Sequence, residues 1–155
     1  MKIKKILISP QEFKESLTGL EVASAIQEGI RKVDSKIITN LVPVADGGDG
    51  TLQTMVDVTG GKIINETVRD PLGRNIKSVW GKLGDDSSAV IEMAKASGLA
   101  LLEESEKSAT LTSTYGTGQL FKSALDQGIN NFIVGIGGSA TNDGGAGFVS
   151  ALGAR

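Results

Sequence analysis

The sequence has no cysteine and no histidine. Without cysteine there is no disulfide, thiol nucleophile or thiolate metal ligand; without histidine there is no imidazole-based triad and none of the commonest zinc sites. Chemistry therefore falls to Asp, Glu, Lys, Ser, Thr and backbone dipoles, an oxygen-rich set that favours Mg²⁺ over zinc or copper. An excess of one charge is also lacking. The chain carries 16 basic and 18 acidic side chains, a net charge of -2, with no long Lys/Arg run, so neither nucleic acid nor an anionic membrane is expected as a partner. No stretch approaches the ~20 apolar residues of a membrane span. The start, MKIKKILISP, moves into a polar helix pattern instead of a signal-peptide cleavage site, and a cytoplasmic location is the expectation.

Glycine, by contrast, is plentiful: 21 of 155 residues, about twice the usual ~7% and clustered instead of periodic. Residues 135–147 read GIGGSATNDGGAG and follow the strand-like run Phe132-Ile133-Val134. Glycines there permit close backbone approach and positive φ, while Ser139, Thr141, Asn142 and Asp143 supply hydrogen-bonding groups, a combination suited to a phosphate or a small acid.

The length allows one domain, or one small domain and part of another. Ile6-Leu7-Ile8 reads as a buried strand closed by Pro10. Thr18-Gly19-Leu20-Glu21 is a capping box, and Val22, Ile26, Gly29, Ile30 and Val33 follow at helical spacing. A strand over 36–44 leads into ADGGDG and a short helix from Thr51 ending near Gly60-Gly61, which completes a β-α-β-loop-α opening. Ile63 to Val68 and Ile76 to Trp80 alternate like strands around the turn Asp70-Pro71-Leu72-Gly73, with Pro and Gly at the positions a turn favours. The spacing then predicts a strand over 89–93, a helix opened by STYGTG and stopped by Gly128, a strand at Phe132 and a helix from Ala146. The fold expected is α/β in two regions, both incomplete: a Rossmann-like parallel sheet over 1–69, then the beginning of a second domain with a mixed sheet over 70–155.

Three loops are candidates for the chemistry. In ADGGDGT, Asp46 and Asp49 flank Gly47 and Gly48 at the carboxyl end of an expected parallel strand, where open α/β sheets bind ligands. The two acids can hold Mg²⁺ or accept a hydroxyl proton. Equally, the segment reads as an Asp-Gly turn with Asp49 capping the helix. In the second loop, Gly137, Gly138, Ser139, Thr141 and Asn142 form a plausible anion cradle with the single acid Asp143, and the plainer alternative is a tight connection that Asn142 and Asp143 cap. The third, Ser113 to Gly118, offers Thr114 and Gly116 at a helix start for phosphate or carboxylate, or merely a cap. Lys14 is placed to neutralise phosphate charge, although a lone Lys is more often solvated. Glu92, in the apolar run VIEMA, should be paired or functional if its strand is buried. Arg69 and Arg74 read as solvated. Gly135 to Ala140 matches G-x-G-x-x-A, a weak dinucleotide signal, and no G-x-x-x-x-G-K-[ST] is present, which excludes a P-loop NTPase for this segment.

Taken together, ISPQEFKESLTGLEVASAI, PVADGGDGT, DPLGR, VIEMAKASGL, STYGTGQL and GIGGSATNDGGAGFVSALGAR resemble the bacterial-type glycerate kinase family, which is distinct from P-loop kinases. The resemblance runs along the whole chain and is most specific in the last segment. It implies ATP-dependent, Mg²⁺-assisted phosphorylation of D-glycerate to phosphoglycerate by a two-domain α/β protein with its active site in the cleft between domains. Ser9, Gln11 and Glu12 depart from the family's APDSFK-like first motif while Lys14 is retained. Asp49 stands where Glu is usual, and Lys107-Ser108-Ala109 where an Asn-Pro pair is common. Family chains are roughly twice this length or more, so the resemblance implies an N-terminal fragment.

On this reading Ser139, Thr141 and Asn142 contact substrate or phosphate, Asp143 or Asp46 serves Mg²⁺ or hydroxyl activation, Asp46 with Asp49 holds the metal, and Lys14 neutralises charge. The reading predicts that Asp143→Asn lowers turnover far more than stability. Two alternatives stand beside it: a nucleotide-dependent oxidoreductase using G-x-G-x-x-A, and a non-catalytic phosphate- or acid-binding fragment that forms a homo-oligomer to cover its sheet edges.

Overall fold

A computed structural model describes residues 3–13 and 16–154. The expectation for Lys14 falls outside these residues. Contacts divide the chain into two compact units, one up to Ala45 and one from Asp46.

In the first unit, strand β1 (Lys5–Ile8) pairs in parallel with β2 (Ile38–Leu41), and helix α1 (Gly19–Val33) makes the crossover. The capping box that starts α1 is formed. Thr18 donates its backbone N–H to Glu21 Oε2 at 2.8 Å, and Glu21 N–H returns a bond to Thr18 Oγ1 at 3.3 Å. The Thr18 donors hold the Glu21 carboxyl below its ordinary range. Arg31 and Lys32 occupy the last turn, where cations suit the negative end of the helix dipole. β2 is shorter than the 36–44 expected. Pro43 has no N–H to give a ladder, so only isolated bonds continue the pairing, from Val42 N–H to Ile8 and from Val44 N–H to Pro10.

The second unit begins with α2 (Thr51–Thr59), followed by an antiparallel hairpin of β3 (Lys62–Arg69) and β4 (Asn75–Lys82). Next come β5 (Ser88–Glu92), the single turn α3 (Ala94–Ser97), α4 (Tyr115–Asp126), β6 (Asn131–Gly135) and α5 (Ala146–Ala151). The sheet order is β3-β4-β5-β6, with β6 parallel to β5. The mixed sheet expected for the second region is therefore present, beside a parallel sheet in the first.

Alternation along the strands sends side chains to two faces. Val68, Trp80, Ala89 and Ile91 pack with Leu120, Ala124 and Ile129 on one face; Val90 packs with Leu52, Val56 and Leu83 on the other. Trp80, fully buried, donates its indole N–H to Ser123 Oγ, and that hydroxyl is bonded to Glu66.

The units do not divide at Asp70. Residues 62–82 form one continuous hairpin ladder, and Asp70 is its turn. Asp70 is also more than a turn residue: its buried carboxylate accepts the Leu72 and Arg74 N–H groups at 2.9 Å each and pairs with the Arg74 guanidinium. Arg74 reaches on to Glu106 at 2.6 Å, so it is a bridge instead of a solvated side chain.

Candidate active site

β4 and β5 pair only at Gly81 with Val90 and at Lys82 with Ala89. A 2.9 Å bond from Leu83 N–H to the Ser88 carbonyl closes the turn, and at the other end α3 lies against β4, fixed by a 2.7 Å bond from Ser78 Oγ to the Lys95 carbonyl. A cavity of about 450 Å³ opens between the β3–β4 hairpin and the segment that follows β5, with a lining that includes Asp49, Lys77, Lys95, Leu99, Leu101 and Gly138. It lies past the carboxyl ends of the parallel pair β5 and β6, the place where open α/β sheets take ligands. Asp49 comes from the first glycine loop and Gly138 from the second.

The two loops meet backbone to backbone. Gly137 donates its N–H to the Gly47 carbonyl at 2.9 Å. A Cβ on Gly135 would sit 2.6 Å from the Gly47 oxygen, and one on Gly137 would sit 2.7 Å from Gly48 Cα. Glycine at 135 and 137 is thus required by the other loop, an account the sequence did not offer. The second loop is also knit to the segment after β5: Met93 N–H bonds Gly135, Leu99 N–H bonds Gly138, and Ala140 N–H bonds Ser97, each at 2.9 Å. This geometry argues against the dinucleotide fingerprint, which needs a helix to open at its glycines. Here α5 begins only at Ala146.

Within the first loop, Asp46 is exposed and accepts the Gly48 N–H at 2.9 Å, while Gly47 N–H bonds Thr51 Oγ1 at 3.0 Å. Asp49 does not cap α2; Gly50 occupies the N-cap position, and no side chain bonds there. One acid that does reach this helix is Glu92. Its Oε1 accepts Leu52 N–H at 2.6 Å, and its Oε2 accepts no hydrogen bond, with the Lys95 ammonium at 3.4 Å. At 1% exposure, burial pushes the Glu92 carboxyl above its ordinary range; the Leu52 N–H and Lys95 oppose this, and the charge of Asp49 adds to it.

Asp143 is ordered differently. One oxygen accepts N–H groups from Thr114 at 2.8 Å and Gly147 at 3.1 Å; the other accepts Gly145 N–H at 3.1 Å. The Thr114 hydroxyl bonds both oxygens, at 2.9 and 3.0 Å. Burial works against ionisation, but these donors outweigh it and hold the carboxyl below its usual value. Asp143 therefore ties the start of α4 to the start of α5. Thr114 is buried with its hydroxyl committed, also accepting Phe148 N–H at 2.9 Å. Gly116 is buried too, and a Cβ there would lie 1.8 Å from the Arg69 carbonyl. Packing accounts for both residue types: the Thr114 hydroxyl is engaged by Asp143 and Phe148, and Gly116 lies against the Arg69 carbonyl. Ser139 and Thr141 bond each other, with Thr141 N–H to Ser139 Oγ at 3.1 Å, and Asn142 is exposed.

Among the described residues no group of three or more Asp or Glu gathers to hold a metal. Mg²⁺ does not require one, because it takes one or two carboxylates and completes its shell with phosphate oxygens and water. Asp49, at the cavity, fits that mode.

The sequence profile of the glycerate kinase family matches residues 6–155. The chain belongs to the glycerate kinase family. Its relatives include the glycerate kinase of Haemophilus influenzae, 53% identical over 96% of this chain and 39% of that protein. The glycerate kinase of Bacillus subtilis is 51% identical over 97% of this chain and 40% of its own length. The glycerate 2-kinase of Escherichia coli is 48% identical over 97% and 40%. A crystal structure provisionally described as glycerate kinase 2 from Salmonella typhimurium superposes with a TM-score of 0.91 at 48% identity, covering 99% of this chain and 41% of that one. The glycerate kinase family member described here thus spans about 40% of the length of the relatives it matches.

Lys77 and Lys95 were not among the sequence candidates. Lys95 carries a weak signal, three residues after a carboxylate in an apolar run; Lys77 carries none, since surface lysines are common.

Proposed function

We propose that this chain supplies part of the active site of an ATP-dependent glycerate kinase, which phosphorylates D-glycerate to phosphoglycerate with Mg²⁺ in the cytoplasm. The observation that carries the reading is the contact of the two glycine loops at Gly47 and Gly137, beside a cavity that holds one carboxylate and two lysines. Phosphoryl transfer asks little covalent chemistry of a protein. It needs the donor and acceptor aligned and the developing charge neutralised.

In this proposal Asp46 and Asp49 are the acids available to Mg²⁺ or to a substrate hydroxyl proton, and Mg²⁺, when bound, neutralises phosphate charge. Ser139, Thr141 and Asn142 offer hydrogen bonds to substrate, and Lys14 contributes positive charge. Asp143 positions the second loop, because its oxygens already receive donors from Thr114, Gly145 and Gly147.

The test is a coupled ADP-release assay with ATP and D-glycerate, run on this chain and on a longer version extended to the length of its relatives. ADP release that depends on D-glycerate in the longer version supports the reading; release indifferent to D-glycerate sinks it. NMR of the product identifies which hydroxyl was phosphorylated.

A further inference from the structure

We propose that Glu92 is a positioning residue for the phosphoryl-transfer site: its buried carboxylate braces the start of α2, beside Asp49, against Lys95, and so fixes the spacing of two opposite charges on the cavity wall. This assignment rests on the kinase reading and adds a residue to it.

One arm of the brace is a helix cap supplied from a distant segment. α2 has Gly50 at its N-cap, with a φ of 83° and no side-chain bond. Leu52 N–H, in the first turn, is satisfied instead by Glu92 Oε1 at 2.6 Å, from the last residue of β5. Thr51, the neighbour of Leu52, accepts Gly47 N–H on its hydroxyl at 3.0 Å and donates its own N–H to the Gly48 carbonyl at 3.2 Å. Where Leu52 is held, the loop that carries Asp49 to the cavity is held with it.

The other arm is the pairing with Lys95. Glu92 Oε2 lies 3.4 Å from that ammonium and accepts no hydrogen bond. A neutral oxygen would cap Leu52 equally well without the cost of burying a charge at 1% exposure. What a carboxylate adds here is a hold on the ammonium. The backbone of Lys95 is already fixed, because Ser78 Oγ donates to its carbonyl at 2.7 Å. Anchored at backbone and tip, a side chain that is ordinarily free to rotate points one way. The Lys95 side chain is still 39% exposed, and an ammonium carries several donors, so one turned toward Glu92 leaves others for a ligand oxygen at the cavity. A charge set in place beforehand needs little reorganisation as the phosphoryl group moves, a gain that shows in kcat more than in KM.

The experiment measures glycerate-dependent ADP release in the longer version, with kcat and KM separated. Glu92→Gln keeps an acceptor for Leu52 but turns an NH₂ group toward Lys95; kcat should fall about tenfold or more, with KM for D-glycerate within about twofold and the urea midpoint not lowered. Lys95→Met should lower kcat to a similar extent, and the double variant should be no worse than the weaker single, since the two side chains act as a unit. A second readout needs neither turnover nor substitution. NMR relaxation of the Lys95 ε-methylene in the 155-residue chain should show it more restricted than that of the exposed Lys36, and Glu92→Gln should release it. The assignment is overturned if Glu92→Gln keeps the parent kcat, if the two losses multiply in the double variant, or if Lys95 in the parent is as mobile as Lys36. Glycerate-dependent ADP release that is indifferent to Glu92→Gln would remove the brace and leave the kinase reading standing. A parent without such release, in which Glu92 nonetheless orders Lys95, would remove the kinase reading and leave the brace.

Discussion

Thr114 gives Asp143 both its backbone N–H, at 2.8 Å, and its side-chain hydroxyl, at 2.9 Å. The acid singled out for chemistry in the sequence is thereby a joint between two helix starts. Asp143→Asn keeps one acceptor but turns an NH₂ group toward donors that the second carboxylate oxygen now satisfies. The expected outcome is a loss of about 1–3 kcal/mol in urea denaturation. The sequence reading expects turnover to fall far more than stability; a midpoint loss of this size with turnover retained in the longer version would overturn that expectation.

Asp143 and Glu92 should titrate stability in opposite directions. The Asp143 pKa is lowered on folding, so its contribution is full above the unfolded value of ~3.9 and is lost as pH falls through the folded value. Glu92 is raised, so the folded chain holds its proton more tightly. Its effect on stability is favourable in acid and declines as pH rises from the unfolded value of ~4.3 through the folded one. Urea midpoints measured from pH 4 to 8 should show that Glu92→Gln removes this decline while Leu52 N–H keeps an acceptor. A decline that persists in the variant would assign it to another group.

Two glycines inside helices should respond with opposite signs. Gly116→Ala drives a methyl into the Arg69 carbonyl, a backbone atom that can yield only if β3 shifts, and should cost about 1–3 kcal/mol. Gly29, exposed on α1, has nothing within 4 Å of an added Cβ. Gly29→Ala should therefore raise stability by about 0.5–1 kcal/mol. Thermal melts of both variants check the pair.

Arg74→Ala leaves the Asp70 carboxylate, 2% exposed, with its two N–H donors but no cation. A loss of about 2 kcal/mol is expected. Arg74→Lys should recover only part of it, because an ammonium cannot fork to Asp70 and Glu106 together. The measurement is equilibrium denaturation of the three proteins side by side.

Local signals carried the fold. The Thr18–Glu21 box, the Asp70 turn and the Gly60 and Gly128 stops lie within a few residues of what they control, and each element they bound was legible in the sequence. Pairing between distant segments was not. Nothing in residues 75–101 announces that Lys77 on β4 and Lys95 after β5 line one cavity. The glycine loops show the same limit. Their composition marked them as a site, but the atoms crowding Gly135 and Gly137 belong to Gly47 and Gly48, and the backbone atoms nearest Gly116 belong to Arg69, all distant in sequence. Glu92 was the exception, flagged by a charge in an apolar run and found buried.

The bond from Gly137 N–H to the Gly47 carbonyl leaves no side chain between the loops to act as a cushion. They are welded at that point, and displacement of one drags the other with it. A ligand that touches only Asp49 would still be felt at Gly138. Exchange of a single amide proton, that of Gly137, would report when this contact between the loops opens.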